Sequence, residues 1–172
     1  MATTSSTVTT TSFPAGADHP VAGTKLLLKA SSTKPAKKAI GLIAKDAAIA
    51  AGDPTQLGGT LRVSTAAGDA FDDSYSLAPS GWKPIGRPGA VKGYRFTDPA
   101  GPITSVIVKR GKVAKAMGKG ARLGHTLAAD PDPVTVVLTV GAQRDCMSFG
   151  GGKFIAGKKY LATHDPPPAA CP

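Results

Sequence analysis

The sequence predicts an all-β protein: an antiparallel β-sandwich of about ten short strands, with at most a short helical turn. Three observations predict it. The 172 residues include 21 Gly and 15 Pro, punctuation too dense for long helices. Glutamate is absent, which removes a good helix former and the usual partner in capping boxes and i,i+4 pairs. Apolar residues fall in short runs between turn residues, and several of these runs alternate with a period of two.

The elements follow in chain order. Nine of the first twelve residues are Ser or Thr, too polar to offset the entropy of ordering them. Residues 1–23 are therefore expected to be a disordered linker, open to O-glycosylation in a suitable host, and residues 24–172 the folded domain. Strands are expected at Lys25–Lys29 and Lys38–Lys45. A helical turn at Ala47–Ala51 would be stopped by Gly52-Asp53-Pro54. Thr60–Thr65 and Ser74–Leu77 alternate. Trp82–Ile85 and Gly93–Asp98 follow, each bounded by turn residues. Ile103–Lys109 and Lys112–Met117 flank a turn at Arg110-Gly111. Val134–Val140 is the densest β-branched run. Arg144–Phe149 and Lys159–Thr163 complete the set. Amphipathic helices do not alternate with these strands, which disfavours a parallel α/β fold.

All eleven acids are Asp, and five of them precede Pro: Asp53, Asp98, Asp130, Asp132 and Asp165. Such pairs form turns or extended dipeptides. The net charge is +10, with seven bases against six acids in residues 1–80 and fourteen against five in residues 81–172. The basic half would attract polyanions. Its densest stretch is Lys109, Arg110, Lys112, Lys115, Lys119 and Arg122. On a hairpin, several of these would project from one face and bind a polyanion with salt-dependent affinity. No stacking aromatic lies between Ser105 and Ala128, which favours an acidic polysaccharide or cell-surface polymer over nucleic acid. The bland alternative is a solvated surface whose lysines block edge-to-edge aggregation.

Other constellations are thin. Trp82 could stack on a sugar or fill the core. Asp69, Asp72 and Asp73 supply hard oxygens for calcium, but without EF-hand spacing; a solvated turn is the plainer reading. His19, His125 and His164 lack metal-ligand spacing and read as surface or turn residues. Gly150-Gly151-Gly152-Lys153 is followed by Phe154, where a phosphate loop needs Ser or Thr. No nucleophile elbow occurs, and the absence of Glu argues against a glycosidase pair. No catalytic residues, cofactor or metal are expected.

The two cysteines, Cys146 and Cys171, suggest one disulfide pinning the C-terminal tail to a strand. No leader with a basic and an apolar region opens the chain, and no run reaches membrane-spanning length. An extracellular chain of this kind would be a fragment or mature form, with Met1 an added start.

Several segments carry a family likeness: Gly93–Pro99, Pro102–Lys109, Asp132–Gly141, Cys146–Gly151 and the closing Pro-Ala-Ala-Cys171-Pro172. Residues 24–172 resemble an uncharacterised C-terminal domain of predicted secreted bacterial proteins, found behind Thr-rich linkers. The resemblance implies a secreted β-sandwich and carries no activity or catalytic residues. The expectation is a non-catalytic extracellular or cell-surface module, structural or adhesive. The alternative is a carbohydrate- or polyanion-binding module. Self-association through exposed edge strands is a further expected mode of partnership.

Overall fold

The computed structural model describes residues 16–172. In chain order the elements are β1 (Ala17–Pro20), β2 (Gly23–Lys29), β3 (Ala39–Ala44), α1 (Pro54–Leu57), β4 (Gly59–Thr65), β5 (Phe71–Leu77) and β6 (Trp82–Arg87). There follow β7 (Ala90–Thr97), β8 (Ile103–Lys109), β9 (Val113–Lys119), β10 (Val134–Val140), β11 (Gln143–Phe149), β12 (Lys153–Ile155) and β13 (Lys159–Asp165). They form a five-stranded sheet, β1-β11-β10-β4-β5, and an eight-stranded sheet, β12-β13-β2-β3-β9-β8-β7-β6. Neighbouring strands are antiparallel except β1, which runs parallel to β11. This is the β-sandwich that the alternation and turn density predict.

The core lies between the sheets, built from the positions that period-two alternation turns inward. Across the larger sheet, Trp82, Phe96, Val106, Ala116, Leu42, Leu26 and Ala162 stand side by side. All seven are buried. Across the smaller sheet, Leu138, Leu61 and Tyr75 do the same. Between the layers, the Tyr160 hydroxyl donates to the Phe149 carbonyl at 3.1 Å. Gly23 must lack a side chain, because a Cβ there would stand 2.4 Å from the Phe149 ring.

The five Asp-Pro aspartates all accept backbone N–H groups. Asp53 takes Thr55, Asp98 takes Ala100 and Gly101, and Asp130 takes Asp132. Asp132 takes Gly152 and Asp165 takes Gly150. Asp53 is the N-cap of α1 with Pro54 just inside the helix. The expected helical turn therefore moves: Ala47–Ala51 is loop, and the Asp-Pro pair expected to stop a helix starts one.

Two further expectations are corrected. The folded part begins before Thr24: β1 pairs with β11, and Val21 is buried with its N–H on the Cys146 carbonyl at 2.9 Å. The rest of the expected linker, residues 1–15, lies outside the described residues. Trp82 is 4% exposed, its ring centroid 5.3 Å from that of Phe96 and its Nε1 donating to the Leu77 carbonyl at 3.2 Å. It fills the core at the edge of the sandwich and presents no platform for a sugar. Iodide should leave its fluorescence unquenched in the native state and quench it only after unfolding.

Cys146 and Cys171 form the expected disulfide, with a sequence separation of 25. It sits on the outer face of the smaller sheet, where Cys146 is paired in register with Val137. Cys146 is buried and Cys171 half-buried, although neither belongs to the main core. The Arg144 guanidinium reinforces the tail, donating to Asp18 Oδ1 at 2.8 Å and to the Pro172 carbonyl at 2.7 Å. Closing this loop should stabilise the fold by about 3–4 kcal/mol through the unfolded chain. Cys171→Ala is expected to lower the urea midpoint accordingly, and reductant should lower it in the native protein and not in the variant.

Candidate polyanion-binding face

Charge is sorted by sheet. The strands of the eight-stranded sheet hold eleven Lys and Arg and one acid, Asp165, at the end of β13. The strands of the five-stranded sheet hold two Arg and four Asp. Both salt bridges among the described residues lie on the smaller sheet, Arg62–Asp72 and Arg144–Asp18. No cation of the larger sheet is paired with a carboxylate among the described residues.

Register places nine of the eleven on one outward face. Lys83, Arg95, Lys115 and Lys25 share a row that crosses the strands through Ile107 and Ile43. Lys119, Lys29 and Lys159 share another through Ala39. Lys109 stands beside Val113 in a third, and Lys153 beside Leu161 in a fourth. Lys83 stands directly opposite Arg95, and Lys29 opposite Lys159. Like charges in direct cross-strand positions destabilise a sheet, so packing does not account for them.

A shallow depression of about 460 Å³ marks the β6–β9 end of this face. Ile85, Ile107 and Val113 form its floor, and Lys83, Arg95, Lys109 and Lys115 its walls. Its chemistry suits a flat, anionic ligand with an apolar side.

Of the six cations expected from sequence, Lys109, Lys115 and Lys119 reach the face. Lys112 lies in the hairpin turn after β8. Arg110 turns back, its Nε donating to the Ala51 carbonyl at 2.9 Å with its guanidinium over the Tyr94 ring. Arg122 donates to the Ala100 carbonyl. The other six members come from β2, β6, β7, β12 and β13, far apart in sequence. The signal that could have found them is a Lys or Arg at outward positions of strands that hold almost no acid.

The calcium candidates do not converge. Asp72 points outward and is held by the Arg62 guanidinium, whose hydrogen bonds lower its pKa. Asp73, one residue on, projects to the opposite face as strand geometry requires. Asp69 accepts the Thr126 hydroxyl. Asp72 and Asp73 belong to β5 and not to a turn. The one convergence of three metal-capable side chains among the described residues is Asp18 with Cys146 and Cys171, whose sulfurs are joined to each other.

The histidines are scattered. His125 lies in the loop between β9 and β10 and is buried, with Nε2 donating to the Lys29 carbonyl at 2.7 Å. Burial holds its pKa below the ordinary imidazole value. His19 bonds Gln143 at 2.7 Å, and His164 is exposed. Among the described residues the hydrogen-bond partners of the histidines are Gln143 and the Lys29 carbonyl.

Comparison with protein-family models, with curated proteins and with solved structures returns no match.

Sequence reasoning also missed Asp145, a buried carboxyl beneath β1. Its Oδ1 accepts the Ala50 N–H at 3.0 Å, and its Oδ2 has no partner. Burial pushes it up to about 6, against the Ala50 hydrogen bond and His19, with Asp46 adding to the rise. The unfolded group titrates near 3.8, so folding takes up a proton between these values. Stability should fall as pH rises from about 4 to about 6 and stay at the lower level above. Asp145→Asn is expected to flatten that slope and to stabilise the protein by about 2–3 kcal/mol at neutral pH, read from urea midpoints across the range.

Proposed function

We propose that this chain is a non-catalytic, extracellular adhesive module that holds an acidic cell-surface polymer against the outer face of its eight-stranded sheet. One observation carries the reading: nine Lys and Arg share that face with no carboxylate paired to them among the described residues. A solvated, purely structural surface intersperses both signs. A face of one sign focuses potential outward and recruits polyanions. The disulfide supports the extracellular placement, because such bonds persist in oxidising compartments. Among the described residues no helix is long and apolar enough to cross a membrane.

Nucleic acid fits less well, since the face lacks the aromatic platforms on which bases stack. Self-association fits one edge. β5 is a seven-residue edge strand without proline, whereas β6 carries Pro84 and an irregular register near Gly86. Nothing else favours it.

The test is retention of the protein on immobilised acidic polysaccharides at low and at physiological salt. Binding should survive physiological salt and weaken linearly on a logarithmic salt scale. Lys83→Ser and Lys109→Ser should each weaken it by about two- to fivefold. Arg62→Ser, on the smaller sheet, should leave it unchanged. Equal loss in all three variants, or no retention at physiological salt, would remove the reading.

A further inference from the structure

The row across the larger sheet has a period of its own. From β7 to β2 its outward residues are Arg95, Ile107, Lys115, Ile43 and Lys25. Cation and isoleucine alternate strand by strand. Adjacent strands are ~4.8 Å apart, so the three cations repeat every ~9.6 Å with an apolar side chain midway between them. The cations are exposed, whereas Ile107 and Ile43 are half-buried. The apolar positions therefore form low steps between standing charges. No acid interrupts the row.

A ligand matching this row is linear, carries its charge on every second unit, and offers an apolar surface on the units between. A β-linked pyranose is close in length to one inter-strand spacing, and one face of its ring is lined by C–H groups. We propose that a linear acidic polysaccharide with one anionic group per disaccharide lies across the strands, its charges on Arg95, Lys115 and Lys25 and its neutral sugars on Ile107 and Ile43. The assignment rests on the polyanion-binding reading above and specifies its ligand. At one end the row continues to Lys83 and the depression beside it, where the polymer gains a fourth cation. A polymer charged on every unit would set half of its charges over isoleucine. Nucleic acid has that disadvantage and finds no aromatic in the row.

The experiment compares hyaluronate, with one carboxylate per disaccharide, and polygalacturonate, with one per sugar. Single-stranded poly(dT) and phosphatidylglycerol vesicles complete the set, all at physiological salt. Two triple variants are measured beside the native protein: Arg95→Ser/Lys115→Ser/Lys25→Ser in the row, and Lys29→Ser/Lys119→Ser/Lys159→Ser outside it. Both sets lie on the outward face, and a cooperative melting transition at or above the native temperature confirms that each variant is folded. Hyaluronate should bind more tightly than polygalacturonate despite its lower charge density. The row variant should lose roughly tenfold to a hundredfold in affinity and the other variant less than about fivefold. Equal losses in the two variants, or tighter binding of polygalacturonate, would overturn the alternating ligand while leaving a general polyanion site. Preference for poly(dT) or for vesicles would overturn the polysaccharide assignment. Failure of every polymer to bind would overturn the function proposed above as well.

Discussion

A chain whose negative side chains are all aspartate has a constraint that most proteins lack. The carboxylate of Asp reaches a backbone N–H two or three residues away, but it seldom spans a strand spacing to meet a lysine. Here Asp53, Asp98 and Asp130 bond N–H groups two or three residues on, while Asp132 and Asp165 hold the Gly152 and Gly150 N–H groups and Asp46 those of Ala22 and Ala48. Asp18 and Asp72 meet arginines on the smaller sheet. Once these assignments are made, no long acid remains to neutralise the larger sheet. The turn chemistry that shapes the sandwich thus also leaves one of its faces positive.

That face carries a cost in stability. Direct cross-strand pairs such as Lys83 with Arg95 and Lys29 with Lys159 repel each other, by up to about 1 kcal/mol at exposed positions. The isoleucines and small residues between the other cations moderate the repulsion, since they place like charges two strand spacings apart. Beneath the face the inward rows are continuous and buried, so the sheet keeps its packing. A bound polyanion would relieve the repulsion. Ligand binding and fold stability are therefore coupled in the same direction.

Much of the fold was legible from period and punctuation. Val134–Val140 and Thr60–Thr65 became central strands because alternation fixes which side chains face the core. Two strands escaped notice. Ala17–Pro20 holds Asp, His and Pro and is recruited by its parallel partner β11; Lys153–Ile155 is three residues of a hairpin. Helix α1 was misplaced because Asp-Pro is ambiguous: the same pair ends one helix and begins the next. The cysteine pairing was legible because a tail ending in Pro-Pro-Pro-Ala-Ala-Cys has little else to hold it. The candidate face was half legible. Sequence shows Lys109, Lys115 and Lys119 as neighbours, but strand order alone brings Lys25 from the opposite end of the chain into line with Lys115 and Arg95. Trp82 was ambiguous in sequence because burial of an edge residue depends on what closes the end of the sandwich.

The two outer faces therefore do different work. On the smaller sheet, the disulfide and the Arg144 contacts fasten the C-terminal tail over Val137 and tie it to β1. Gly16, where the described chain begins, follows directly into β1 at the edge of that same sheet. Both termini of the described chain are thus anchored on the side away from the cationic rows. Cations left without carboxylates, on a face that neither end of the described chain covers, are positioned to meet an extended partner. The staple matters to that geometry because it keeps the tail on the smaller sheet, where the acids are.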